Sequence, residues 1–259
     1  MITMSINGIS FAAGKWPLNP DLPTIIFIHG AGNSKNLWKL QVQGLCGSFN
    51  TLAIDLPGHG ESDGSGMETI EQYAECVKNL ITAVNPPTPI PCGLSMGGAI
   101  ALHLLINSGV KHKAGIIINS GARLKVMPAI FEMINSNYSG YTSSLPLMGA
   151  SAKTDRALLN DVTSDAENCR PEVVFKDFTA CNTFDITERL NEINIPVLIM
   201  TAEEDKLTPQ KQGKFLADNI TGSILINISD AGHFSPVEKP EEVNEAILKF
   251  VKGVTNHSR

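Results

Sequence analysis

Short, nearly all-apolar runs separated by helical patterns limit the folds open to this chain more than any other feature. Runs rich in β-branched residues are typical of strands buried on both faces, as in a parallel sheet covered by helices. Five such runs lie at residues 24–28, 51–54, 90–93, 114–118 and 195–200. A further run at 223–228 indicates a last strand nearer the edge. We therefore expect an α/β protein with one mostly parallel, doubly wound sheet flanked by helices.

Two helices are well marked in the remaining sequence. The pattern from Thr69 to Val84 places apolar residues on one face, and Thr69 and Gln72 stand in capping-box positions at its start. The C-terminal pattern has Pro240 in its first turn and continues with apolar residues at helical spacing to Val251. Both patterns predict amphipathic helices that pack on the sheet.

The alternation of strand and helix signals stops between residues 123 and 189. This stretch has no good strand pattern and holds apolar and aromatic residues followed by polar, helix-compatible sequence. An insertion of this length between two buried strands should fold as a helical cap over the carboxyl edge of the sheet, where open α/β sheets bind ligands. We predict a core domain of residues 1–122 and 190–259 and a helical cap or lid of residues 123–189.

Ser95 stands in the sequence Gly93-Leu94-Ser95-Met96-Gly97, between a predicted strand and a predicted helix. A nucleophilic serine on such a turn needs a strained backbone, and small flanking residues let the strand and helix approach each other closely. Met96 opens the helix, so its backbone N–H can help to bind an oxyanion. Taken alone, the motif fits a glycine-rich βα turn equally well.

Asp205 and His233 follow later predicted strands and should meet Ser95 at one edge of the sheet. A serine hydroxyl is a poor nucleophile near neutral pH, so it needs an imidazole to take its proton. A buried carboxylate then orients that imidazole and stabilises its charged form. Glu203 and Glu204 adjoin Asp205, so the sequence leaves the choice of acid open.

In this order of serine, acid and histidine the chain resembles the α/β-hydrolase superfamily, in the branch of carboxylesterases and related small capped hydrolases. The resemblance rests on residues 29–30, 55–62, 93–98, 205–209 and 232–233, which span nearly the whole core. It implies the α/β-hydrolase fold with a helical cap inserted after the sixth strand. It also implies Ser95 as nucleophile, His233 as its base and Asp205 as the acid. The backbone N–H groups of Ala31 and Met96 would form the oxyanion hole.

The other histidines have weaker claims to a role in catalysis. His29 and His59 lie in loops near the predicted site, and the resemblance implies that they are structural, with hydrogen bonds to their own loops. His112 and His257 are expected to be solvated.

Composition and charge exclude several classes of function. The net charge is −6 with acids and bases interspersed, so a broad surface for nucleic acid is not expected. Neither a membrane-spanning run nor an export signal is evident, and the five cysteines are scattered, which favours a cytoplasmic protein with reduced thiols and no zinc site. We expect no cofactor and no metal; the partner is a small-molecule ester, and the oligomeric state stays open.

These observations predict a serine hydrolase that cleaves carboxylic esters of small to medium acyl or alcohol groups through an acyl-enzyme. One alternative is a carbon–carbon bond hydrolase of the same fold, although Leu94 departs from the polar residue often found before its nucleophile. Another is an acyl thioesterase for carrier-protein substrates, which the seven basic against nine acidic residues of 123–189 do not favour. A third is a non-catalytic ligand receptor on a hydrolase core.

Overall fold

One sheet of eight strands lies at the centre of the protein, in a computed structural model that describes residues 1–107 and 109–256. The strands are β1 (Ile2–Ile6), β2 (Ile9–Ala13), β3 (Thr24–Ile28), β4 (Asn50–Ile54), β5 (Pro89–Leu94), β6 (Gly115–Ile118), β7 (Val197–Ala202) and β8 (Ile224–Ile228). Their spatial order is β1-β2-β4-β3-β5-β6-β7-β8. Strands β3 to β8 pair in parallel, and β1 and β2 pair antiparallel at one edge. The predicted mostly parallel α/β sheet is confirmed.

All six predicted runs form strands, and β8 lies at the edge of the sheet as expected. The hairpin of β1 and β2 was not predicted. Its turn is Asn7-Gly8, with both residues at positive φ, which is the usual sequence of a two-residue hairpin turn. That dipeptide, between two short runs of mixed polarity, is the signal that would have identified the hairpin.

Ten α-helices are present in the described residues, besides three short 3₁₀ helices at Lys35–Trp38, Arg156–Leu159 and Thr187–Glu192. The α-helices are α1 (Lys39–Leu45), α2 (Ile70–Val84), α3 (Met96–Asn107), α4 (Pro128–Ser136), α5 (Tyr138–Gly149), α6 (Asn160–Asn168), α7 (Pro171–Thr183), α8 (Gln210–Asn219), α9 (Ser235–Glu238) and α10 (Pro240–Asn256). The two predicted amphipathic helices are α2 and α10, and Thr69 caps α2 by accepting a hydrogen bond from the Gln72 N–H at 3.2 Å. Within the described residues, no helix is long and apolar enough to cross a membrane.

Both faces of the sheet are covered, which explains the all-apolar strands. In β3, Ile26 and Ile28 join a core formed with α2, α3 and α8, whereas Ile25 and Phe27 join a core formed with α1 and α10. Each fully buried apolar side chain of this kind stabilises the fold by about 1.5–3 kcal/mol. The strand ends are in register: Ile28 is aligned with Gly93 of β5, and Leu94 with Ile118 of β6. Loops that leave β3, β5, β7 and β8 therefore emerge at one edge.

Four helices, α4 to α7, lie between β6 and β7 and have their own apolar cluster, which includes Ile130, Tyr141 and Val173. An isolated bridge and an ion pair of 3.3 Å between Arg123 and Asp185 join the two ends of this helical segment. The division of the chain into a core and a cap at residues 123 and 189 stays a prediction.

The sequence predicts that two histidines, His112 and His257, are solvated. His112 is half-buried, because it lies next to the first residue of β5, and burial lowers the pKa of its imidazole. That expectation is wrong. His257 lies outside the described residues.

Candidate active site

Ser95 occupies the turn between β5 and α3 with φ of 55°, in the left-handed region that non-glycine residues seldom adopt. Its N–H donates to the Ile118 carbonyl at 3.0 Å, and the Ser120 hydroxyl donates to the Ser95 carbonyl at 2.7 Å. A left-handed residue costs about 1–2 kcal/mol, so these bonds and the surrounding packing must hold it. The turn directs the half-buried serine toward the carboxyl edge of the sheet.

The glycines around Ser95 are required by a close approach of backbones. A Cβ added at Gly93 would lie 1.9 Å from the Gly97 carbonyl oxygen, and one at Gly97 would lie 2.1 Å from the Ile28 carbonyl oxygen. At Gly98 the added atom would lie 2.5 Å from Cβ of Ser120. Strand β5, helix α3 and strand β3 therefore meet at distances that only glycine permits.

His233, in the loop after β8, contacts Asp205, in the loop after β7. The distance from His233 Nδ1 to Asp205 Oδ2 is 2.8 Å, and both side chains are buried. Asp205 Oδ1 accepts the N–H groups of Leu207 and Thr208 at 2.8 and 2.9 Å, and the Thr208 hydroxyl lies 2.6 Å from Oδ2. Burial alone would raise the pKa of the Asp205 carboxyl, but His233 and Thr208 lower it. An ionised carboxylate thus fixes Nδ1 and leaves His233 Nε2 on the opposite side of the ring.

The two neighbouring acids have other partners. Glu203 accepts the Asp230 N–H at 3.1 Å, and Glu204 accepts the Ala152 N–H at 3.1 Å. Of the three acids that the sequence leaves open, Asp205 is the one that contacts His233.

Glu238, which sequence reasoning missed, holds the His233 loop. Its carboxylate accepts the N–H groups of Gly232 and Phe234, both at 3.0 Å, and that of Ser151 at 2.9 Å. Because Ser151 follows α5, the same carboxylate ties the helical segment to this loop. No sequence signal marks Glu238, since an isolated glutamate near a helix start is usually solvated.

The two predicted oxyanion donors, Ala31 and Met96, belong to segments that lie next to Ser95. Met96 is the first residue of α3, so its N–H has no acceptor within the helix. Ala31 follows β3 in a loop whose Gly30 is near enough that an added Cβ would lie 3.4 Å from Cβ of Ser95. These positions suit two N–H donors directed at one oxygen.

A cavity of about 430 Å³ joins these elements. Its lining includes Ala31, Ser95 and His233 together with apolar side chains of α4, α5 and α7. Its charged lining residues are Lys125 and Lys206, and none of the described residues that line it is Asp or Glu. A larger cavity of about 710 Å³, between β8 and α10, is lined by none of the predicted site residues and is not the reaction site.

His29 and His59 lie beneath the site with ring centroids 4.9 Å apart, and their ring nitrogens bond to backbone and carboxylate groups. His29 Nδ1 lies 2.7 Å from the Gly30 carbonyl, and its Nε2 accepts the Leu56 N–H at 3.0 Å, which defines a neutral ring. Burial and the neighbouring His59 lower the pKa of His29 to about 3.

His59, in contrast, is positively charged. Its Nε2 lies 2.8 Å from Asp177 Oδ2 and its Nδ1 lies 3.2 Å from the Pro57 carbonyl, so both nitrogens face acceptors. Burial lowers the pKa of His59, but the carboxylate of Asp177 more than reverses this and raises it well above its usual value. Among the described residues, no group of three or more His, Cys, Asp or Glu side chains is placed to hold a metal ion.

Comparison with known proteins identifies relatives of this chain. The profile of the alpha/beta hydrolase family matches residues 25–246. The chain is 27% identical over 239 residues to 3-oxoadipate enol-lactonase 1 of Acinetobacter baylyi, with 90% of each chain covered. It is 25% identical to the pimeloyl-[acyl-carrier protein] methyl ester esterase of Neisseria meningitidis, covering 89% of this chain and 94% of the other. The crystal structure of the enol-lactonase from Burkholderia xenovorans superimposes with a TM-score of 0.86 at 21% identity, over 97% of this chain and all of the other.

The neutral state of His29 predicts a loss of stability in acid. Unfolded His29 takes up a proton below about pH 6.5, whereas the folded ring does so near pH 3, so its contribution is complete above pH 6.5 and falls as the pH drops toward 3. Between about pH 7.5 and about pH 5 the native protein should lose about 2 kcal/mol more of its free energy of unfolding than His29→Gln does. Urea titrations at the two pH values measure the difference, and equal losses would contradict the assignment.

Proposed function

We propose a serine esterase function for this protein, which belongs to the alpha/beta hydrolase family. The substrates are carboxylic esters of small to medium acyl or alcohol groups, and the reaction passes through an acyl-enzyme. One observation carries the proposal: Ser95, on a strained turn, lines the same cavity as His233, whose Nδ1 lies 2.8 Å from a buried carboxylate. That combination supplies a nucleophile, a base and an orienting acid.

In the first half of the reaction Ser95 Oγ attacks the ester carbonyl carbon, and its proton passes to Nε2 of His233. Asp205, held by its backbone donors, stabilises the imidazolium that forms. The carbonyl oxygen becomes an oxyanion, which accepts hydrogen bonds from the N–H groups of Ala31 and Met96. Donors of this kind each contribute about 3–4 kcal/mol to the transition state in serine hydrolases.

In the second half the tetrahedral intermediate collapses. His233 gives its proton to the leaving alcohol oxygen as the carbon–oxygen bond breaks, which leaves the acyl group on Ser95. A water then gives a proton to His233 and attacks the acyl carbon, and a second collapse releases the carboxylic acid and restores the Ser95 hydroxyl. Every step uses groups of this chain and one water.

The cavity indicates which esters fit best. Its walls are apolar side chains, and its volume of about 430 Å³ suits a small molecule. Its two charged lining residues are lysines, in a chain whose net charge is −6. We propose that substrates carry a carboxylate in addition to the scissile ester. Lactones are cyclic esters open to the same chemistry, and the enol-lactonase relative of Acinetobacter baylyi supports including them.

Replacing Ser95 tests the nucleophile. Ser95→Ala should lower kcat/KM for a short-chain p-nitrophenyl ester by at least about 10³-fold, because the acyl-enzyme cannot form. Thermal unfolding should remain close to that of the native protein, since alanine keeps the Cβ and backbone of the turn. Ser143→Ala, at an exposed serine of α5, is the matched control and should retain full activity. Native-like turnover by Ser95→Ala, or tight ligand binding without turnover by the native protein, would contradict the proposal.

Substrate charge tests the role of the lysines. The native protein should prefer the monomethyl ester of a dicarboxylic acid to the matching dimethyl ester by about threefold to tenfold in kcat/KM, since each exposed charge pair contributes about 0.2–1 kcal/mol. The preference should fall with added salt and in the double variant Lys125→Gln/Lys206→Gln. Lys214→Gln, at an exposed lysine paired with Asp218 on α8, should leave it unchanged. Equal use of the two esters by the native protein would show that the lysines do not select substrates.

A further inference from the structure

Asp177, on helix α7, is a fully buried carboxylate whose three partners come from three separate parts of the core. Its Oδ2 accepts the N–H of Gly32 at 2.9 Å and lies 2.8 Å from Nε2 of His59. Its Oδ1 accepts the hydroxyl of Tyr73 on α2. A charge buried this completely is costly unless it is paired and hydrogen-bonded, and here every partner is a donor.

The contact with Gly32 fixes a peptide group next to the proposed oxyanion hole. Gly32 N belongs to the same planar peptide as the Ala31 carbonyl, and that carbonyl also lies 3.3 Å from Nδ2 of Asn33. Both ends of this peptide are therefore held, one by a carboxylate and the other by an amide. Gly32 itself has φ of +67°, a conformation that suits glycine in such a turn.

The preceding peptide is held from the other side. The Gly30 carbonyl and the Ala31 N–H belong to one planar trans peptide, so they point in opposite directions. The carbonyl lies 2.7 Å from Nδ1 of the neutral His29 and accepts the Asn33 N–H at 3.3 Å. Ala31 thus stands between two restrained peptides, and the direction of its N–H depends on both.

The charges of Asp177 and His59 balance each other beneath the loop that contains Ala31. Asp177 faces an imidazolium at His59, whose Nδ1 is occupied by the Pro57 carbonyl. Negative and positive charge therefore balance within the buried pair, and the carboxylate can accept the Gly32 N–H without placing net negative charge near a developing oxyanion. Neutralising Asp177 would leave His59 charged and unpaired in the interior or force it to lose a proton.

We infer that Asp177 is a positioning residue for the oxyanion hole: from a helix outside the core sheet it holds Gly32 and thereby aims the N–H of Ala31. The inference rests on the proposed esterase function. The carboxylate that holds this core loop comes from α7, in the segment between β6 and β7.

Asp177→Asn tests the inference, because the amide keeps the shape of the side chain but weakens its hold on Gly32, since a neutral amide oxygen forms a weaker hydrogen bond than an ionised carboxylate. We expect kcat for a short-chain ester to fall about tenfold or more while KM changes less than about twofold, since the loss is confined to the transition state. Affinity for a trifluoromethyl ketone, which forms a tetrahedral oxyanion adduct on the serine, should fall in parallel with kcat/KM. A purely structural role would lower stability without this split.

Tyr73→Phe is the matched control. It removes the hydroxyl bound to Oδ1 and leaves the Gly32 contact in place, so stability should fall while kcat stays within about twofold of the native value. If Asp177→Asn does not fold, the double variant Asp177→Asn/His59→Gln replaces it, because it removes both charges of the buried pair together; kcat should again fall about tenfold with little change in KM.

A folded Asp177→Asn protein with native kcat and native affinity for the ketone would overturn the inference, as would native kcat in Asp177→Asn/His59→Gln when that variant is the one tested. Failure of the esterase proposal itself would give different experimental results. In that case the native protein turns over no ester, or Ser95→Ala retains activity, whatever the result at Asp177.

Discussion

The close approach of β5 and β3 to the first turn of α3 is the constraint on which the rest of the site depends. A Cβ at Gly93 or Gly97 would overlap backbone oxygens at 1.9 and 2.1 Å, so the chain can pass from strand to helix there only through glycine. This approach forces Ser95 to positive φ and places the first N–H of α3 beside its side chain. Strand register then brings the loops after β3, β7 and β8 to the same edge.

The second feature of the site is that its two buried histidines, together with Asp177, add no net charge to the interior. Two histidines within 4.9 Å of each other are both buried, and they adopt opposite states: His29 is neutral between a carbonyl and an N–H, and His59 is charged between a carbonyl and Asp177. The Glu238 carboxylate is different: its backbone partners are the neutral N–H groups of Gly232, Phe234 and Ser151. Asp177 and Glu238 each join the segment between β6 and β7 to a core loop, so hydrogen bonds connect this segment to the loops of the proposed site.

Most of the fold could be predicted from the sequence, because buried parallel strands and amphipathic helices have strong local patterns, as at 24–28 and in α2. The turn that holds Ser95 could also be predicted from a local signal, because the glycines that flank the serine are visible in the sequence. The β1–β2 hairpin was missed although Asn7-Gly8 marks its turn. Asp177 and Glu238 could not be found in this way. Their partners are up to 145 residues away in the sequence. The sequence also does not distinguish a buried carboxylate from a solvated one. The catalytic roles themselves came from a resemblance in motif order, and they stay proposals.

Covalent labelling by a fluorophosphonate tests the central claim most directly, because the reagent captures a serine made nucleophilic by a neighbouring base. One equivalent should add to the native protein, peptide mapping should place it on Ser95, and hydrolysis of esters should cease as labelling proceeds. In Asp205→Asn the labelling rate should fall by about 10²-fold or more, since the imidazole loses the carboxylate that orients it. Label on another residue, or full activity in a protein labelled at Ser95, would contradict the account.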